Sequence, residues 1–236
     1  MSLIASDLSV QHPLKNGFKL PPLALYVHIP WCIRKCPYCD FNSHAAGPQL
    51  PEDEYVAALL ADLEEDFDQV QGRKLGSIFF GGGTPSLFSA QALERIVEGL
   101  EKRVGFNADI EITLEANPGT FEQAKFRDYP QLGINRLSIG VQSFQPEKLK
   151  ALGRIHDGDE AVRAADMARA AGFENFNLDL MHGLPGQSLD DALSDLRTAI
   201  AQRPTHLSWY QLTVEPNTEF WSRPPQLPED DTLWDI

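Results

Sequence analysis

Cys32, Cys36 and Cys39 are the only cysteines among 236 residues. They lie in the run Trp31-Cys-Ile-Arg-Lys-Cys-Pro-Tyr-Cys-Asp-Phe41, spaced C-x3-C-x2-C. Thiolate is a soft ligand that suits iron–sulfur clusters and zinc. Three thiolates from one short loop would hold three irons of a [4Fe–4S] cluster and leave the fourth iron open to a small chelating ligand. A disulfide framework is a poor match, because it calls for an even count. Zinc is the competing reading, with His28 or His44 as a fourth ligand, although zinc sites more often pair C-x2-C units. Inert burial fits less well still. Arg34, Lys35, Pro37 and Asp40 make the segment polar and loop-like, and the two cations favour the thiolate form.

Such a loop needs elements to hold it. Six apolar, β-prone runs occur: Ala24–Pro30, Ser77–Phe80, Asp109–Leu114, Arg136–Val141, Phe176–Met181 and Leu207–Thr213. Segments of helical periodicity separate them. Glu52–Gln71 carries Tyr55, Val56, Leu59, Leu60, Leu63 and Phe67 on one predicted face. Ser89 is a predicted cap for a helix with Leu93, Ile96, Val97 and Leu100. Thr120–Leu132 is a weaker candidate, and Gly158–Ala171 is alanine-rich. Ser188–Gln202 opens on Ser188 and Asp191, a near capping box. Strand alternating with helix predicts parallel βα units. Six units fall short of a closed eight-unit barrel, so the fold class expected is α/β, an open, partial (β/α)6 TIM barrel with a parallel sheet. Residues 1–20 read as a poorly ordered N-terminal extension, 21–215 as the core, and 216–236 as the start of a further region.

In parallel α/β folds the reactive site lies at the carboxyl ends of the strands, and that is where the polar motifs fall. The cysteine loop follows the first strand. The second ends in Phe80-Gly-Gly-Gly-Thr-Pro-Ser86, whose glycines let backbone approach a ligand, with Thr84 and the glycine carbonyls placed to receive an ammonium group. The third ends in Leu114-Glu-Ala-Asn-Pro118. There Glu115 could accept from two ribose hydroxyls, or simply be a solvated loop acid. The fourth ends near Gln142, and Arg154 follows as a partner for a carboxylate. Asp179 lies inside an apolar run, where an unpaired charge is costly; Arg154 as its partner would explain it as well as a ligand would. His182 reads as structural ahead of a ligand, and the sixth strand as mostly a packing signal.

Taken together, Tyr26-Val-His-Ile-Pro-Trp-Cys, Cys-Pro-Tyr-Cys-Asp-Phe-Asn, Gly-Gly-Gly-Thr-Pro-Ser, Glu-Ala-Asn-Pro-Gly-Thr, Gly-Val-Gln-Ser-Phe and Asp-Leu-Met-His-Gly-Leu-Pro-Gly-Gln resemble the oxygen-independent coproporphyrinogen III oxidase family of radical S-adenosylmethionine (SAM) proteins. Within it they are most similar to the haem-chaperone branch. The resemblance implies that Cys32, Cys36 and Cys39 bind a [4Fe–4S] cluster whose open iron takes SAM. It implies that Tyr26, Tyr38, Gly82 and Glu115 surround that SAM. It also implies that Gly83, Thr84, Gln142, Arg154, Asp179 and Thr213 contact SAM, some of them a second molecule. By the same resemblance haem is cargo, the recipients are membrane-bound respiratory haemoproteins, and an electron donor is needed. Two departures separate the chain from the decarboxylating oxidases. Phe41 stands where they carry a fourth cysteine, and their longer N-terminal extension is lacking. SAM cleavage is thus compatible with the chain, whereas coproporphyrinogen oxidation is not expected. The family pattern also continues into a C-terminal domain with a haem-linked His-Asn-x-x-Tyr-Trp motif, which this sequence does not contain.

Composition bounds the partners. The 20 basic and 34 acidic residues leave a net charge of −14, unlike the basic faces of nucleic-acid binders. No apolar run is long enough to span a membrane, and the first residues lack a signal-peptide pattern. A thiolate-bound cluster suits a reducing, cytoplasmic setting.

Overall fold

A computed structural model describes residues 19–119 and 125–236. The predicted extension and the start of the predicted Thr120–Leu132 helix therefore lie largely outside the described residues. Strands β1 (Leu23–Ile29), β4 (Leu75–Gly82), β5 (Phe106–Ala116), β6 (Arg136–Gln142), β7 (Phe176–His182) and β8 (His206–Gln211) form one sheet. Their order is β1-β4-β5-β6-β7-β8 and every neighbouring pair is parallel. Each crossover adds the next strand on the same side, as right-handed βα connections do. The sheet curls in one direction and stays open between β1 and β8, giving the expected partial barrel. β2 (Trp31–Cys32) and β3 (His44–Ala45) make a second, two-stranded sheet.

The core sits between the sheet and the outer helices. Val27, Ile29, Ile78, Phe80, Ile112, Leu114, Ile139 and Val141 alternate along their strands and are buried on that side. Helix Ala90–Arg103 supplies Leu93, Ile96, Val97 and Leu100 from one stripe. Its Ser89 cap accepts from the Ala92 N–H at 3.1 Å, satisfying one of the orphan donors of the first turn. Helix Gly158–Ala170 buries Ala161, Ala164, Ala165 and Ala168. Its first residue lies so close to strand β6's exit loop that any Cβ at Gly158 would meet the Phe144 carbonyl oxygen at 2.1 Å. Helix Leu189–Ala201 has the capping box read in the sequence, with Ser188 and Asp191 exchanging bonds. In helix Glu52–Glu65 only Val56 is buried. Phe67 lies beyond its end in a 3-10 turn and is exposed, because the helix stops two residues earlier and Phe67 leaves the predicted face.

The opposite side of the sheet, facing the barrel interior, is polar. Glu115, Ser138 and Asn177 share one register row, and Gly140, Asp179 and Ser208 the next. A second apolar cluster of Leu152, Met181, Leu184, Leu212 and Phe220 closes the carboxyl end, with Tyr38 packed against it.

Candidate functional site

All three cysteines line one cavity of about 650 Å³ at the carboxyl end of the barrel, and no disulfide joins them. The small sheet fixes their loop. His44 N–H donates to Pro30 and Ala46 N–H to Cys32, each at 2.7 Å. Lys35 Nζ holds the Phe41 and Ser43 carbonyls at 2.9 and 3.2 Å. Phe220 N–H donates to the Pro37 carbonyl at 3.0 Å, tying residues beyond β8 to the loop. Burial pushes the Cys32 thiol up, and the neighbouring Cys39 and Cys36 add to this against hydrogen bonds from Thr84 and Ser43. Phe41 is 59 % exposed on the cavity rim.

The glycine run lies against this loop with no room to spare. Gly83 N–H donates to the Ile29 carbonyl at 2.8 Å, and Thr84 N–H to the Trp31 carbonyl at 2.7 Å. A Cβ at Gly83 would sit 2.6 Å from the Trp31 carbonyl oxygen. Gly82 has φ +113°, and a Cβ there would enter the His28 ring at 2.6 Å. Close approach requires glycine at Gly83, and close approach together with a positive φ requires it at Gly82. His28 Nε2–H donates to the Asn42 carbonyl at 2.8 Å, and its Nδ1 accepts from the Tyr26 hydroxyl at 3.2 Å. His28 is thus a brace of the cysteine loop. Tyr26 packs its ring over Gly81 beside the cavity, without lining it.

Glu115 is half-buried at the end of β5. Burial first, and then the Asp179 charge, push its carboxyl up to about 7, against a backbone bond from Gly82. Asp179 accepts from Ser138 Oγ and Asn177 Nδ2, both at 2.8 Å. Arg154 is therefore not its partner. The Arg154 guanidinium donates to Asn117 Oδ1 at 2.6 Å and the Gly140 carbonyl at 2.7 Å, with Nη1 3.6 Å from Cys36 Sγ. Its Nε is buried without a partner. The serine and asparagine facing Asp179 satisfy the carboxylate locally, which frees the arginine for the cysteine loop.

β6 shifts register between Gly140 and Gln142, and Gln142 takes φ 69°. That left-handed backbone is strained for a side chain with a Cβ. The next turn is held from below: Asp195 accepts from Ser143 Oγ at 2.6 Å and Phe144 N–H at 2.9 Å. Gln142 Oε1 accepts from the Tyr210 hydroxyl at 2.7 Å, turning the amide nitrogen toward Gly140. Tyr210 was hidden in a run read as packing, and only its alternation with Ser208 on an edge strand hinted at an inward phenol. Asn117 was equally unmarked; its Nδ2 donates to Thr84 Oγ1 at 3.2 Å. Tyr38, Gly82, Gly83 and Thr213 also line the cavity, as does His156, whose Nε2–H donates to the Val141 carbonyl at 3.0 Å. His182 packs edge-on against Trp209 at 5.1 Å, and its Nδ1 is buried without a hydrogen-bond partner. Among the described residues, no helix is long and apolar enough to cross a membrane.

The chemistry of the donors suits an iron–sulfur cluster: three free thiols line one cavity with the glycine run bonded against their loop, and among the described residues they are not already drawn together into a three-ligand metal site.

Comparison with known proteins agrees with this geometry. The model of the Radical SAM superfamily matches residues 26–199. The chain is 62% identical over 218 residues to "Heme chaperone HemW" of Escherichia coli, covering 92% of this chain and 58% of that protein. It is 58% identical over 222 residues to the protein of the same name in Haemophilus influenzae, again covering 92% and 58%. The chain thus spans little more than half the length of these relatives. Among solved structures, coproporphyrinogen III oxidase (HemN) from Escherichia coli, described as a radical SAM enzyme, aligns with a TM-score of 0.83 at 30% identity. That alignment covers 97% of this chain and 52% of the other. The sequence's resemblance to the haem-chaperone branch stands, and with it the open parallel barrel. The chain belongs to the Radical SAM superfamily.

Proposed function

We propose that this chain is the SAM- and cluster-binding barrel of a haem chaperone that passes haem to recipient haemoproteins. The observation that carries the reading is the meeting of three thiols, the glycine cradle and Glu115 in one cavity. Cys32, Cys36 and Cys39 would hold the [4Fe–4S] cluster. When bound, such a cluster supplies an electron and an open iron for SAM. The chain's own residues then divide the remaining work. Thr84 and the carbonyls of the glycine run face an ammonium group. Glu115 accepts from ribose hydroxyls. Gln142, held by Tyr210, presents an amide donor to the ligand. Asp179 and Thr213 complete the wall, and Tyr26 and Tyr38 flank the loop. Glu115 at about 7 would be only partly ionised near neutral pH, and hydrogen-bonded hydroxyls would favour its charged form.

The second reading is radical decarboxylation of coproporphyrinogen, which the likeness to HemN favours and Phe41 opposes. Two assays decide. Reconstituted anaerobically, the protein should bind SAM, and Glu115→Ala should weaken that binding by about 1–3 kcal/mol, the cost of leaving polar partners unpaired. Unchanged affinity would remove Glu115 from the site. Supplied with reductant, SAM and coproporphyrinogen III, the protein should give no protoporphyrinogen IX above background; turnover would replace the chaperone reading by the oxidase one. Haem as cargo is supported by the relatives' name, whereas membrane-bound respiratory enzymes as recipients and an electron donor belong to the proposal alone. Haem transfer from the protein to an apo-haemoprotein tests them.

A further inference from the structure

Arg154 is half-buried, with its guanidinium among neutral partners. Nη2 is shared by the Asn117 amide oxygen and the Gly140 carbonyl, and Nη1 points at Cys36 Sγ from 3.6 Å, within reach of a large sulfur acceptor. Among the described residues no carboxylate forms an ion pair with it. Asp179, the obvious counter-ion, has its oxygens taken by Ser138 and Asn177. Asn117 is itself tethered to Thr84, so the guanidinium is pinned toward the cysteine loop. A buried cation without a counter-ion is costly. Among the described residues, the Cys36 sulfur is the ionisable group that the guanidinium reaches.

We propose that Arg154 tunes the electron affinity of the cluster: its guanidinium donates an N–H···S bond to the Cys36 thiolate and raises the cluster's reduction potential. The inference rests on the cluster reading above and adds to Arg154 a role separate from any contact with SAM. Hydrogen bonds to ligand sulfurs and nearby charge are established levers on iron–sulfur potentials. The sign follows from charge. One-electron reduction adds negative charge to the cluster, so an adjacent cation and donor favour the reduced form.

The test is a redox titration of the reconstituted protein followed by EPR, with SAM left out so that its binding contributes nothing. Arg154→Met removes the charge and the donors. It should weaken electron uptake about tenfold, a fall of about 59 mV for one electron. Arg154→Lys keeps a charge without the planar fork and should fall by less. Arg95→Met removes the same charge from the exposed face of helix Ala90–Arg103, outside the cavity lining, and should leave the potential where it is. A midpoint unchanged or raised in both Arg154 variants overturns the inference. If Arg154→Met does not retain a cluster, the unaltered Arg154 carries the test by pulsed EPR. Protein labelled with 15N-arginine, in an Arg34→Lys background that removes the arginine of the cysteine loop itself, should show a 15N coupling to the reduced cluster; its absence also overturns the inference. A wild-type protein that forms no cluster would instead overturn the cluster reading, and this inference with it.

Discussion

Replacing Glu115 by glutamine should stabilise the ligand-free protein at alkaline pH while weakening its site. Burial and the Asp179 charge raise the Glu115 carboxyl from its ordinary 4.5 to about 7. At about 1.4 kcal/mol for each tenfold change in proton affinity, that displacement is worth at most about 3 kcal/mol. The folded-state value lies above the unfolded one, so the folded chain holds the proton that the unfolded chain has released between pH 4.5 and about 7. Stability therefore falls as pH rises through that window, and the full loss persists above it. Glutamine keeps an acceptor for the Gly82 backbone bond and never ionises. Glu115→Gln should consequently be close to wild type at pH 5 and more stable at pH 8 by up to about 3 kcal/mol, a rise of several degrees in Tm for a chain of this size. Urea denaturation of ligand-free protein at the two pH values measures it. A variant less stable than wild type at pH 8, or a difference independent of pH, would refute the reasoning. The expected gain is the usual sign of a site residue kept at the expense of stability.

Three further outcomes can be checked in the same apparatus. Leu93 is fully buried, so Leu93→Ala should cost about 2–5 kcal/mol with no change in the cavity. His156 is held down to about 3, by burial first and then by the Arg154 charge. Its folded value lies below the unfolded one, so stability should be lost as pH falls from about 6.5 toward 3; His156→Gln should flatten that acid limb, and an unaltered limb counts against it. Asp195→Ala strands the Ser143 hydroxyl and the Phe144 N–H, each buried or half-buried. It should cost about 1–3 kcal/mol and loosen Gln142, seen as weaker SAM binding even where the protein is still folded.

What the sequence disclosed and what it withheld have physical causes. The cysteine spacing, the glycine run and Glu115 stand at strand ends, where backbone topology alone brings them together. Six strands and their order followed from alternating periodicities that the outer helices and sheet reinforce. Trp31–Cys32 and His44–Ala45 are two-residue strands, too short to show any period, yet they shape the cysteine loop. Arg154 was a candidate partner for Asp179 because sequence offers charges but not distances; Ser138 and Asn177 lie on neighbouring strands and reach Asp179 first. Tyr210 sits on the edge strand, where apolar and inward-facing positions look alike until the register with Met181 is known. Phe67 was assigned to a buried face because helical periodicity continues past the residue at which the helix ends.

The central claim is that Cys32, Cys36 and Cys39 together hold one cluster. Iron and acid-labile sulfide counted per chain after anaerobic reconstitution, with the EPR spectrum of the dithionite-reduced protein, test it most directly. About four irons and four sulfides per chain are expected, the stoichiometry of a [4Fe–4S] centre. Both the iron and the EPR signal should be lost when any one of the three cysteines is replaced by alanine. Stoichiometric zinc without iron in the wild-type protein, or an intact cluster in any of the three variants, would contradict it.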